Sequence, residues 1–131
     1  MVDAVAIDDE AVIAEVASAF GCYEEALMKY DPVALDGWFW RDERAIRYGI
    51  AENLYGHDAI AAYRRTRNAV PGRVLRNTKI TAIGRDAAAV NTEFQYPGDE
   101  RVGRQSQIWA RMPEGWRVVA AHVSFREEFE R

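Results

Sequence analysis

Gly103–Ser124, GRQSQIWARMPEGWRVVAAHVS, reads as a two-stranded hairpin whose inward face turns polar where a core is normally apolar. The turn is Met112-Pro113-Glu114-Gly115, with proline and glycine in turn-forming positions. Pairing Arg111 with Trp116 puts Trp109 opposite Val118, Gln107 opposite Ala120 and Gln105 opposite His122. Side chains alternate along a strand, so Gln105, Gln107, Trp109, Val118, Ala120, His122 and Ser124 are expected to share one face. That face is apolar near the turn and polar at the far end. Buried amides and an imidazole need partners or a wet cavity, and the sequence is read as the lining of a pocket.

Outward from the hairpin, the chain divides into helices first and strands last. Asp8 or Asp9 can cap a helix, and Ile13, Val16, Phe20, Tyr23, Leu27 and Tyr30 follow as one stripe at spacings of three and four. Asp31-Pro32 breaks it and starts a short second helix through Leu35 to Trp40. Ala45–Ile50 and Asn53–Tyr55 read as a small hairpin around Ala51-Glu52. A third helix starts near Gly56-His57-Asp58 and runs to about Asn68, ended by Val70-Pro71-Gly72. Strands are expected at Val74–Ile83, Ala87–Tyr96, Val102–Arg111 and Trp116–Phe125, an antiparallel meander, with a charged Arg126–Arg131 end expected to fray. This is an α+β domain spanning residues 1–131: a curved, mainly antiparallel sheet wrapped on N-terminal helices, a cone with a small-molecule pocket at its open end.

The 131 residues suffice for one core without disulfides or a metal, and 49% of them are apolar. A net charge of −4 argues against a nucleic-acid partner. Arg64, Arg65, Arg67, Arg73 and Arg76 nevertheless cluster, either as a solvated face or as a patch for a small anion. The single Cys22, expected as a small buried thiol, excludes an internal disulfide and fits a cytoplasmic location. No apolar run is long enough for a membrane span, and the first residues lack the pattern of a secretion signal. Two histidines and one cysteine do not assemble a metal site, and no phosphate-cradling glycine loop is present; no cofactor is expected.

The order helix, helix, hairpin, helix, four-stranded meander resembles the nuclear transport factor 2-like, or SnoaL-like, superfamily. Phe20–Leu27 (FGCYEEAL), Leu35–Trp40, Arg47-Tyr48-Gly49, GRQSQ at 103–107 and GWRVVAAHVS at 115–124 look like its AtzH-like family. The resemblance implies a homodimeric decarboxylating amidohydrolase acting on dicarboxyurea, with relatives that accompany amidases. Its active pair falls on Tyr23 and Arg47.

For Tyr23 the alternative is a core tyrosine; if the stripe faces the pocket, its hydroxyl can donate a proton or a hydrogen bond. Alternation puts Arg47 and Gly49 on one face of their strand and Ile46 and Tyr48 on the other. An inward Arg47 is a permanent cation, best satisfied by a planar carboxylate held bidentately. Such a pair suits a small anionic ureido acid. Loss of carbon dioxide leaves electron density on a nitrogen, where Tyr23 could deliver a proton. Arg47 serves better on a retained carboxylate or the urea oxygen than on the departing group, whose ground state it would stabilise.

Gln105, Gln107, His122 and Ser124 are expected to orient the ureido group, or else to form a hydrogen-bond network that only shapes the sheet. Glu93 is a spare candidate base of undetermined face. Arg104 is expected outside. A homodimer is expected through the outer face, carrying Ile108, Ala110, Arg117, Val119, Ala121, Val123 and Phe125. The competing function is a non-catalytic ligand-binding or accessory protein that partners an amidase; isomerase or cyclase chemistry would need His122 or Glu93 as base.

Overall fold

The structure, a computed structural model, describes residues 4–67 and 72–127. Helix α1 spans Glu10–Met28, and the Asp9 carboxylate accepts hydrogen bonds from the Ala11 and Val12 amides at 3.0 and 3.3 Å, capping it. Val16, Phe20, Tyr23 and Leu27 of the expected stripe are buried, joined by Val12, Ala19 and Ala26. Helix α2 (Pro32–Trp38) is capped by Asp31, which accepts from Ala34 N, with proline in the first turn where no amide is needed. Strands β1 (Ile46–Tyr48) and β2 (Asn53–Tyr55) form the small hairpin, and α3 (His57–Arg65) follows Gly56. Gly56 has φ 91° and lies against the Glu43 backbone, a conformation and a closeness that favour glycine. The expected Val70-Pro71 turn and the end of the chain from residue 128 lie outside the described residues.

The meander is β3 (Val74–Ile83), β4 (Ala87–Gln95), β5 (Val102–Met112) and β6 (Gly115–Arg126). These strands and the small hairpin make one six-stranded sheet of order β2-β1-β6-β5-β4-β3. Every pairing is antiparallel except β1 with β6. The helices cover its inner face. Among the described residues no helix is long and apolar enough to cross a membrane.

The hairpin register holds at the turn and then slips. Arg111 pairs with Trp116 and Trp109 with Val118, as expected, but Ile108 pairs with Ala120, leaving Val119 as one extra residue on β6. This β-bulge reverses the facing of β6 beyond it. Gln107 therefore lies opposite Ala121 and Gln105 opposite Val123. The inward residues of β6 become Trp116, Val118, Ala121, Val123 and Phe125, while Ala120, His122 and Ser124 move to the outer face. His122 is exposed, and its ring packs against Tyr48 at 5.8 Å. The expectation that His122, Ser124 and Ala120 line the pocket is corrected, and so is the assignment of Ala121, Val123 and Phe125 to the outer ladder.

The bulge also marks a change of neighbour. Val118 bridges Phe39 in parallel and its carbonyl accepts from Trp40 N at 2.9 Å, whereas Ala120–His122 pair with β1. One strand edge thus serves two successive segments of the N-terminal half. Trp109 fills the middle of the core, wholly buried, with ring contacts to Tyr23 at 6.2 Å and Trp38 at 5.9 Å. Burying each such aromatic contributes about 1.5–3 kcal/mol.

Gly103, first residue of the GRQSQ string, sits opposite Phe94, whose ring occupies the space a β-carbon would take. That ring is itself held by Tyr96 at 5.5 Å, Phe125 at 5.7 Å and the Arg73 guanidinium at 4.7 Å. Gly103→Ala should therefore destabilise the fold by about 1–3 kcal/mol, the usual cost of overpacking. Gly103→Ala combined with Phe94→Leu should recover part of it. Urea denaturation midpoints check this; an unchanged midpoint for Gly103→Ala would contradict the packing described.

Candidate functional site

A cavity of about 330 Å³ opens between α1, α3 and the β1–β2 hairpin, a size suited to a small ligand. Its polar wall carries Arg47, Glu52, Arg64 and Arg67 with the phenols Tyr30, Tyr63 and Tyr96; Leu27, Ile60 and Val123 supply apolar surface. Each group arrives by a simple local rule. Arg47 is the inward residue of β1, paired with the inward Ala121. Ile60, Tyr63, Arg64 and Arg67 recur at helical spacing along α3 and just past its end, so one stripe delivers all four to the cavity.

Arg47 Nη1 donates to Glu52 Oε1 at 2.9 Å, and both side chains are mostly buried. The Glu52 carboxylate turns back over the hairpin, also accepting from Ala51 N at 3.2 Å, and occupies the place where a β-carbon on Gly49 would stand. The Tyr63 ring contacts two guanidiniums, Arg47 at 5.7 Å and Arg67 at 5.6 Å. Burial pushes the Tyr63 phenol above its ordinary pKa, with the nearby Glu52 carboxylate adding to the effect. Tyr63 is thus neutral at pH 7 and able to donate.

Behind the cavity, Asp36 is a buried carboxylate that accepts from Arg64 Nε at 3.1 Å and pairs with Arg65 at 2.7 Å. The Asp36 carbonyl accepts from His57 Nε2 at 2.7 Å, so that nitrogen bears the proton. Tyr30 donates its hydroxyl proton to the Arg64 carbonyl. Arg64 Nη2 is buried with no protein partner. Arg64 had been open to reading as part of a solvated face; instead it is 8% exposed and anchored. With three guanidiniums at the wall against the one Glu52 carboxylate, and Asp36 offsetting Arg64 from behind, the cavity favours an anion.

The other sequence-predicted residues divide clearly. Tyr23 is 5% exposed, stacked near Phe20 at 6.3 Å and edge-on to Phe39 at 6.4 Å. It lies one helical turn before Leu27 and is not among the residues lining the cavity. Gln105 and Gln107 face inward as expected, but reach protein partners. Gln105 Oε1 accepts from Arg73 Nη2 at 3.2 Å, Arg73 is clasped by Glu24, and Gln105 Nε2 has no partner. Gln107 Oε1 accepts from the Trp109 indole at 3.0 Å.

Glu93 faces outward and accepts from Asn77 Nδ2 at 2.6 Å. Arg104 is exposed, as expected, and Cys22 is exposed rather than buried, because it stands one residue before the buried Tyr23 and so about 100° around α1 from it. Among the described residues no group of three or more His, Cys, Asp or Glu is placed to hold a metal.

The sequence reading missed Glu52 and Tyr63. The signal for Tyr63 was its place one turn after Ile60 on the stripe that also carries Arg67. Glu52 could have been found from the tight hairpin, which brings residues five apart back to the inward Arg47.

Solved structures of the same shape exist. A protein of unknown function from Pectobacterium atrosepticum is 48% identical, covering 92% of this chain and 95% of that one, with a TM-score of 0.90. A cystatin-like fold protein from Burkholderia xenovorans is 41% identical over 95% of this chain and 99% of its own, also at 0.90. A nuclear transport factor 2-like protein of unknown function from Pseudomonas putida shares the fold at a TM-score of 0.73 and 17% identity, covering 92% of this chain and 90% of its own. No curated protein matches the sequence. The AtzH-like family model matches residues 5–128. The chain therefore belongs to the AtzH-like family, on a nuclear transport factor 2-like fold.

Proposed function

We propose that the protein is a cofactor-independent decarboxylating amidohydrolase acting on a small carboxylated urea, 1,3-dicarboxyurea or a related ureido acid. The observation that carries this reading is Arg47 at the wall of a small cavity, flanked by Arg64, Arg67 and the hydroxyls of Tyr30, Tyr63 and Tyr96. A guanidinium cannot shed its charge, and a partly buried one binds a planar carboxylate better than any neutral ligand. In this reading Arg47 holds a retained carboxylate or the urea oxygen, drawing charge from the carbonyl as the bond to the departing carboxyl group breaks.

The proton for the nitrogen left behind comes from Tyr23, the role the family resemblance suggests. One fact supports it: α1 carries Tyr23 one turn from the cavity-lining Leu27. A second reading, binding without turnover in partnership with an amidase, is favoured by one observation: Tyr23 itself does not line the cavity. We also propose a homodimer through the outer sheet face, where Ile108 is 41% and Tyr55 60% exposed.

Carbon dioxide release from dicarboxyurea, carboxybiuret and oxalurate, followed by mass spectrometry, separates the two readings. Turnover of at least one is expected. Tyr23→Phe keeps the ring packing and should lower kcat about a hundredfold or more with little change in KM. Near-normal turnover in that variant would remove Tyr23 from the chemistry, and binding with no turnover in the wild type would leave the accessory reading standing. Arg47→Lys should weaken binding and turnover together, because a point charge does not reproduce the planar fork. Sedimentation at micromolar concentration should give a dimer; a monomer would contradict the interface.

A further inference from the structure

Arg47 is not free to receive a ligand on its whole fork, because the Glu52 carboxylate already holds Nη1 at 2.9 Å. Resting on Gly49 and the Ala51 amide, this carboxylate is a fixed acceptor in the wall of an otherwise cationic cavity. A ligand carboxylate that docks on the rest of the guanidinium comes close to a second carboxylate. Two anions on one cation repel unless something between them donates a hydrogen bond.

We propose that Glu52 is the specificity-determining residue of the cavity. It accepts an N–H that lies next to the ligand's carboxylate, so the site takes ureido and carbamoyl acids and rejects carboxylates of the same shape without that N–H. The inference rests on the reading of the cavity as a ureido-acid site and adds the group that reads the ureido nitrogen. A methylene in place of the N–H leaves the Glu52 carboxylate facing an anion with nothing shared, which is the costlier kind of mismatch. Glu52 acts here on binding and orientation; no bond to it forms or breaks.

The test uses N-carbamoylglycine and its carbon isostere levulinate, in which a methyl and a methylene replace the two nitrogens. Titration calorimetry on the full chain should give wild-type binding of N-carbamoylglycine at least about tenfold tighter than levulinate, the scale of one charge-assisted hydrogen bond. In Glu52→Ala the two affinities should move in opposite directions: weaker for N-carbamoylglycine, tighter for levulinate. Gly49→Ala keeps the Glu52 charge but takes its seat, and should erode the same preference.

Both ligands tightening in Glu52→Ala would mean that Glu52 merely competes for Arg47, and both weakening would mean that it only positions Arg47; either overturns the proposal while leaving the ureido-acid reading intact. Failure of the wild type to bind N-carbamoylglycine would overturn both. A circular-dichroism spectrum and melting profile matching wild type show that the variants are folded.

Discussion

The single extra residue at Val119 organises the site. By inserting a bulge into β6, it turns Ala121 and Val123 inward and His122 outward, and it separates the stretch of β6 that bridges Phe39 from the stretch that pairs with β1. Pairing in parallel with the bulged segment fixes which side of β1 faces the cone. Arg47 stands opposite inward Ala121, a small side chain that leaves the guanidinium room to reach the cavity, while Tyr48 stands opposite outward His122. A strand without the bulge would exchange these faces and present an imidazole and a serine to the interior. The polar lining would then be a different one.

Around that constraint the domain separates two kinds of buried polarity. One is structural: Gln107 holds the Trp109 indole, Gln105 and Glu24 hold Arg73, and Asp36 holds Arg64 with Arg65 close by. In each, a buried polar group is matched to a partner from another element or from its own strand, which limits the cost of desolvation. The other is the cavity wall, where Arg47 and Glu52 satisfy each other within one hairpin and face open space. An ion pair between residues five positions apart in one hairpin can meet a ligand without disturbing the sheet.

Much of this architecture was legible in the residues. Strand positions followed from alternation on either side of turn-forming segments such as Met112-Pro113-Glu114-Gly115, and α1 from its stripe. The bulge was not legible for a physical reason. Val118, Val119, Ala120 and Ala121 are four small apolar residues in a row, so a one-residue slip breaks no hydrophobic pattern. Everything inferred beyond that run inherited the wrong face, which explains why His122 and Ser124 were misplaced while Gln105 and Gln107 were not. Arg64 was obscured differently. Its arginine-rich neighbourhood resembles a solvated surface, and its burial depends on Asp36, 28 positions away.

A ureido acid is expected to bind with its carboxylate on Arg47 and its adjacent N–H on Glu52. The most direct measurement is a crystal structure of the protein with N-carbamoylglycine bound. The ligand is expected in the cavity between Tyr63 and Val123, its carboxylate within hydrogen-bond distance of the Arg47 guanidinium and a ureido nitrogen within the same distance of a Glu52 oxygen. A ligand seated there with its carboxylate turned away from Arg47, or bound elsewhere with the Arg47–Glu52 pair untouched, would contradict it.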